Sequence, residues 1–211
     1  MINDYTAVVG EAGLDPVVVD VDAFAVQNQF ELNYGIPAGE TVVLVNVGAS
    51  VININVVSNG ISAFTRDISM GGNAYTDEIQ KQLNVSYDEA EELKLGGRND
   101  ASDGVVPQEV ERVMTQVSET LSNEIQRSLD FFSATSADAQ ISKIYLSGGT
   151  AQVPALARTL ESKVGIPIEV MDPFKNVDMS SRGNFDPAHL KKIAPLAAVS
   201  VGLALRKPLD R

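Results

Sequence analysis

Two short stretches have the composition of a ligand-binding turn. Asn46-Val47-Gly48-Ala49-Ser50 ends one apolar run, and Ser147-Gly148-Gly149-Thr150 ends another late in the chain. Small residues at a strand end leave peptide N–H groups unshielded, and successive bare N–H groups form a nest for phosphate. Glycines without Cβ also let a flat ring or a ribose lie against the backbone. Each turn taken alone fits a plain connection equally well. Neither has the Gly-Lys-Ser/Thr of a P-loop or the glycine spacing of a Rossmann turn. The other candidates are single residues. Asp22, with Asp20 close by, is a carboxylate that either caps the next helix or serves chemistry. Glu124 and Arg127 are three apart and share a helix face, the spacing of a solvated ion pair. The single histidine, His189, lies beside Asp186-Pro187 and reads as a surface residue. No metal-ligating set is assigned.

The elements that must position these residues follow from periodicity. Tyr5, Val8, Val9 and Ala12 have helical spacing, with Gly13 as a stop. Pro16–Val21 is expected to be a short buried strand, and Asp22 to cap a helix bearing Phe24, Val26 and Phe30. Three strands follow at about 41–47, 51–57 and 61–68. The first is apolar almost throughout and so central. The second alternates, with Ile52, Ile54 and Val56 opposite Asn53 and Asn55. Asn59-Gly60 is a strong hairpin signal, because a type I′ turn needs φ > 0 at both positions. The middle is helical. Gly71-Gly72 leads into a helix with Tyr75, Ile79 and Leu83, and Ser86 with Glu89 makes a capping box closed by Gly96-Gly97. After a polar loop at 98–104, a long helix from about 107 to 132 buries Val110, Val113, Met114, Val117, Leu121, Ile125 and Leu129. A strand at 141–146, a helix from Pro154 to Gly165, a strand at 168–170 and a linker at 175–187 come next. A final helix over 188–206, rich in alanine, serine and glycine, ends the pattern.

Composition bounds the partners. The 211 residues carry a net charge of −12, which argues against binding nucleic acid or adsorbing to anionic lipid. No apolar run reaches the roughly 18–20 residues of a membrane span. The first residues lack the basic and apolar regions of a secretory signal, and there are no cysteines, so a cytoplasmic protein is expected.

The order of elements resembles the second half of an actin-like ATPase, an RNase H-like α/β fold shared by actin, Hsp70-type chaperones, sugar kinases and FtsA. Within that superfamily six segments resemble the PilM family of type IV pilus assembly proteins: PVVVDVDAFAVQNQFELNY, VVLVNVGASVININVVSNG, FTRDISMGGNAYTDEIQKQL, RSLDFF, IYLSGGTAQVPALARTLESKVGIPIEVMDPF and APLAAVSVGLALR. The resemblance implies five parts. Residues 1–38 would end a small outer subdomain and the first core lobe. Residues 39–70 and 139–187 would form the second core lobe, 71–138 an inserted nucleotide-side subdomain, and 188–211 a C-terminal helix returning to the first lobe.

The resemblance also implies roles. Asn46, Gly48, Ala49 and Ser50 would fall at the second phosphate motif, and Gly148, Gly149 and Thr150 at the adenosine motif, with Glu124 and Arg127 as further adenosine contacts. Asp22 would fall where a residue positions the attacking water. ATP or ADP with Mg²⁺ is the implied cofactor. The N-terminal tail of PilN, the pilus motor ATPases and the platform protein are the implied partners, reached at the inner membrane without direct insertion. Two departures matter. No Asp-x-Gly phosphate hairpin occurs near the start, so the sequence looks N-terminally truncated and hydrolysis by this chain is not expected. Asn46 also stands where many active members have Asp, and an amide brings no charge to a Mg²⁺ site. A nucleotide-gated adaptor is therefore favoured over an active ATPase. An FtsA-like division anchor is set aside, because an amphipathic C-terminal helix is missing.

Overall fold

A computed structural model describes residues 2–35, 39–96, 108–136, 140–178 and 185–207. The expected loop at 98–104 lies outside the described residues, as does part of the 175–187 linker. Helix α1 (Ile2–Glu11) ends before Gly13 and an extended segment follows, then α2 (Asp22–Tyr34). Strands β1 (Thr41–Val47), β2 (Ile52–Ser58) and β3 (Ile61–Ile68) form the meander. Asn59 and Gly60 sit at φ of 52° and 78°, as a I′ hairpin requires. Helices α3 (Asn73–Leu83), α4 (Tyr87–Lys94) and α5 (Gln108–Thr135) come next, and the Ser86 hydroxyl accepts from the Glu89 amide to cap α4. Strand β4 (Ile141–Ser147), α6 (Pro154–Val164) and β5 (Ile168–Val170) complete the sheet, and α7 (Pro187–Ile193) and α8 (Ala198–Ala204) end the described chain.

The sheet order is β3-β2-β1-β4-β5, with β1 antiparallel to β2 and parallel to β4. Strand β1 is central, which explains why it is apolar on both faces. Val43, Val45 and Val47 join Ile52, Ile54, Val56, Ile144 and Leu146 under α3, α5 and α6. Val42, Leu44 and Val57 face the other way, against Val26 and Phe30 of α2 and Ala198 of α8. Helices therefore cover both faces, and α5 buries the stripe its spacing predicts, with Met114 half-buried at its edge.

Three expectations are corrected. Residues 16–21 form no strand: Val17, Val19 and Val21 are exposed, and no ladder pairs with them. Valine runs favour extended backbone, but a strand also needs a partner, and both edges of this sheet lie elsewhere. The segment is fixed by Asp20, whose carboxylate accepts from Val21 N–H at 2.8 Å and from Arg206 Nε at 2.7 Å. In α2, Phe24 is partly exposed while Ala23, Val26 and Phe30 hold the buried face. Asp22 is an exposed residue of the first turn and makes no side-chain cap, since Val21 occupies the cap position. The expected C-terminal helix over 188–206 is broken. Between α7 and α8, residues Ala194–Ala197 form a 3₁₀ turn, because Pro195 has no N–H to continue an α-helical ladder. The small residues do permit close approach: a Cβ on Gly202 would lie 1.7 Å from the Ala25 carbonyl oxygen.

Candidate functional site

Strands β1 and β4 are parallel neighbours, so their carboxyl ends open on one side of the sheet. Ligands in open α/β sheets bind at this place. A cleft of about 730 Å³ lies there, with Ala49, Gly149 and Thr150 at its floor. One wall is α4 with Glu91, Lys94 and Leu95; the other is the 3₁₀ turn and end of α7, with Leu196 and Lys192. A second cleft, of about 830 Å³, lies at the opposite, amino ends of β1 and β4 around Thr41 and Ile141. The strand-end rule assigns no ligand to that side.

The two glycine turns are bonded to each other. Gly48 O accepts from Thr150 Oγ1 at 3.0 Å and from Gly72 N at 2.9 Å, and Ala49 O accepts from Asn73 N at 2.7 Å. Gly48 N donates to Val51 O at 3.0 Å, which closes the turn. The amides of Ala49 and Ser50 donate to no partner among the described residues, and both residues are exposed. Ala49 lines the cleft and Ser50 follows it in the same turn, and consecutive bare N–H groups of this kind can form an anion nest. Gly148 has φ 86° and ψ 162°, a region open essentially to glycine alone, and its Cα lies against the Val47 backbone. Its amide donates to Pro195 O at 2.7 Å, which seats the 3₁₀ turn on the end of β4.

Below the turns a polar row crosses four strands on the α2 face. Ser147 Oγ donates to Asn46 Oδ1 at 3.2 Å, Asn46 Nδ2 to Asn53 Oδ1 at 3.0 Å, and Asn53 Nδ2 to Asp67 Oδ1 at 2.9 Å. Strand register puts these four side by side, since Asn46 is opposite both Asn53 and Ser147, and Asn53 is opposite Asp67. The Asn46 amide is thus committed to neighbours, and it braces the turn from beneath.

A family model described as "Type IV pilus assembly protein PilM" matches residues 1–208. The chain belongs to the PilM family. A protein solved as part of a "PilM-PilN type IV pilus biogenesis complex" is similar at 27% identity and TM-score 0.77, with 95% of this chain and 55% of that one covered. EutJ, an ethanolamine utilization protein from Carboxydothermus hydrogenoformans, matches at 21% identity and TM-score 0.66, covering 94% of this chain and 58% of its own. MreB5 of Spiroplasma citri, bound to AMPPNP, matches at 14% identity and TM-score 0.63, covering 96% and 62%. These last two show the fold alone, the actin-like α/β fold. The chain spans 55% to 62% of the solved chains named here.

For this PilM-family chain, the geometry brings some predicted site residues together and leaves others apart. Ala49, Gly149 and Thr150 line one cleft, with Gly48, Ser50 and Gly148 in the turns that build it and Asn46 beneath. Asp22 opens α2 on the sheet face that carries Asn46 and Asn53, and it does not line the cleft. Glu124 and Arg127 pair with one another at 3.0 Å on α5, with Arg127 largely in solvent, and they also do not line the cleft. Sequence reasoning missed Glu91 and Lys94. Lys94 Nζ lies 2.6 Å from Glu91 Oε1 and 3.0 Å from Thr76 Oγ1, and only 13% of its side chain is exposed. Thr76 also donates to Glu91. Burial would raise the Glu91 carboxyl, but hydrogen bonds from Lys94 and Thr76 outweigh it and hold the group below the ordinary carboxylate range. The only sequence signal was an i,i+3 acid–base pair on a helix of eight residues. Among the described residues, no helix is long and apolar enough to cross a membrane.

Proposed function

We propose that this chain forms the nucleotide-side part of a type IV pilus assembly adaptor that binds ATP or ADP with Mg²⁺ in the cleft at the ends of β1 and β4. The observation that carries this reading is the unpartnered amides of Ala49 and Ser50 in the turn at a cleft that Ala49 lines together with Glu91 and Lys94. The residues present fit the nucleotide, while no group of three or more metal-ligating side chains stands among the described residues for its Mg²⁺. The Ala49 and Ser50 amides meet phosphate oxygens, and Gly149, with no Cβ, leaves room for a ribose or base beside Leu196. Glu91 and Lys94 take the adenosine side in preference to Glu124 and Arg127, because they line the cleft. Asn46 braces the phosphate turn, and its amide, bonded to Asn53 and Ser147, brings no charge to a metal. A bound nucleotide supplies the dense negative charge that bare N–H groups favour. Asp22 does not line this cleft either, so by the same criterion it is given no part in orienting water there.

Similarity to a protein solved in a PilM–PilN complex supports PilN as the partner, and nucleotide occupancy would bias this chain between states of different affinity for the PilN tail. Contact with the pilus motor ATPases and platform protein, and a place at the cytoplasmic side of the inner membrane, belong to the same proposal. The test is a titration of the full-length protein with a PilN N-terminal peptide, without nucleotide and with ATP or ADP. A nucleotide-dependent change in peptide affinity of several-fold is expected. Identical affinity under all three conditions, or no nucleotide binding by calorimetry, overturns the reading.

A further inference from the structure

Thr150 lies in the turn assigned to adenosine, yet its hydroxyl points elsewhere. The residue is 7% exposed, and its Oγ1 donates to Gly48 O across the junction of the two turns. The same carbonyl accepts from the Gly72 amide, and the Asn73 amide holds Ala49 O one residue on. Three segments therefore meet at one carbonyl: the phosphate turn after β1, the turn after β4, and the first residues of α3. The fit is tight. A Cβ on Gly72 would lie 2.4 Å from Thr150 Oγ1, and one on Gly71 would lie 2.4 Å from Gly48 O. Small displacements of any one segment must move the others, because Gly71 lies against the backbone of the phosphate turn and Gly72 against the Thr150 hydroxyl, which its bond to Gly48 O holds in place.

We propose that Thr150 is a positioning residue. Its hydroxyl latches the phosphate turn to the β4 turn and to α3, so the Ala49 and Ser50 amides stand ready as a nest before any ligand arrives. Thr150 then acts on the phosphates through the turn and makes no contact with the nucleoside. Helix α3 is bonded to the same turn and packs against α4, so the latch also links the phosphate turn to the wall that carries Glu91 and Lys94. This coupling rests on the nucleotide reading above; the latch itself does not.

Two measurements on the full-length protein separate these statements. Amide hydrogen exchange by NMR, without nucleotide, compares wild type with Thr150→Val and Thr150→Ser. Valine keeps the shape and removes the donor, and serine restores it. The Gly72 and Asn73 amides are expected to exchange roughly tenfold faster in Thr150→Val and at the wild-type rate in Thr150→Ser. Unchanged exchange in the valine variant overturns the latch, whatever the protein binds. Competition against a fluorescent ATP analogue then compares ATP, ADP and adenosine. Thr150→Val is expected to weaken ATP and ADP roughly five- to tenfold and leave adenosine unchanged. An equal loss for adenosine would make Thr150 a nucleoside contact and overturn the proposal. Gly72→Ala, which crowds the hydroxyl from the other side, is expected to give the same pattern. If wild type binds none of the three ligands, the nucleotide reading falls and the exchange experiment still decides the latch.

Discussion

At the scale of single residues, the site depends on where side chains are absent as much as on where they are present. Gly148 is the strongest case. Its backbone lies in a region that other residues reach only with strain, and an added Cβ would stand 2.3 Å from Val47 O. Gly148→Ala must displace either the end of β1 or the turn after β4. Thermal or denaturant unfolding is expected to show a loss of roughly 2–5 kcal/mol, beyond the cost of an ordinary surface change. A loss under about 1 kcal/mol would mean that the turn relaxes freely. Both glycine turns were legible in the sequence as bare backbone. Their mutual bonding was not, since Thr150 and Gly48 are 102 residues apart and nothing in either turn names its partner.

At the scale of elements, the meander, the hairpin turn, the cap of α4 and the long α5 were all readable, because each rests on local periodicity or on turn chemistry. The failures have different causes. Residues 16–21 have the composition of a strand, but pairing is a property of two segments. The helix expected over 188–206 has suitable residues apart from Pro195, and the bond from Gly148 to the Pro195 carbonyl anchors the break. Helix α4 brings a charged pair, Glu91 and Lys94, to the cleft. Because the Glu91 carboxyl is held below its ordinary value, its stabilising effect is present above the unfolded value of about 4.3 and is lost as pH falls through the folded value. The difference in melting temperature between wild type and Glu91→Gln is therefore expected to be largest near neutrality and to shrink below about pH 4. A difference independent of pH between 7 and 3 would show that the ion pair with Lys94 contributes nothing.

At the scale of the whole molecule, the chain forms a sheet with α2 and α8 on one face and α3, α5 and α6 on the other. The polar row from Ser147 to Asp67 runs just under the site on the α2 face, so the cleft, the sheet and α2 are parts of one layer structure. The parallel pairing of β1 with β4 has a further consequence, for the order of assembly. The meander closes over turns of a few residues, whereas β4 must find β1 after the entire helical insert has been made. Loop closure costs more with length, and non-local strand pairing is slow. On a ribosome the meander is complete while one long edge of β1 still has no neighbour. That edge is apolar on both sides, a combination that invites pairing with another chain. Pulse-labelled hydrogen exchange during refolding is expected to protect β1–β2 amides before β1–β4 amides, and simultaneous protection would refute that order. The same strand that ends at the Gly48-Ala49-Ser50 turn is therefore a place where an incomplete chain is exposed to aggregation.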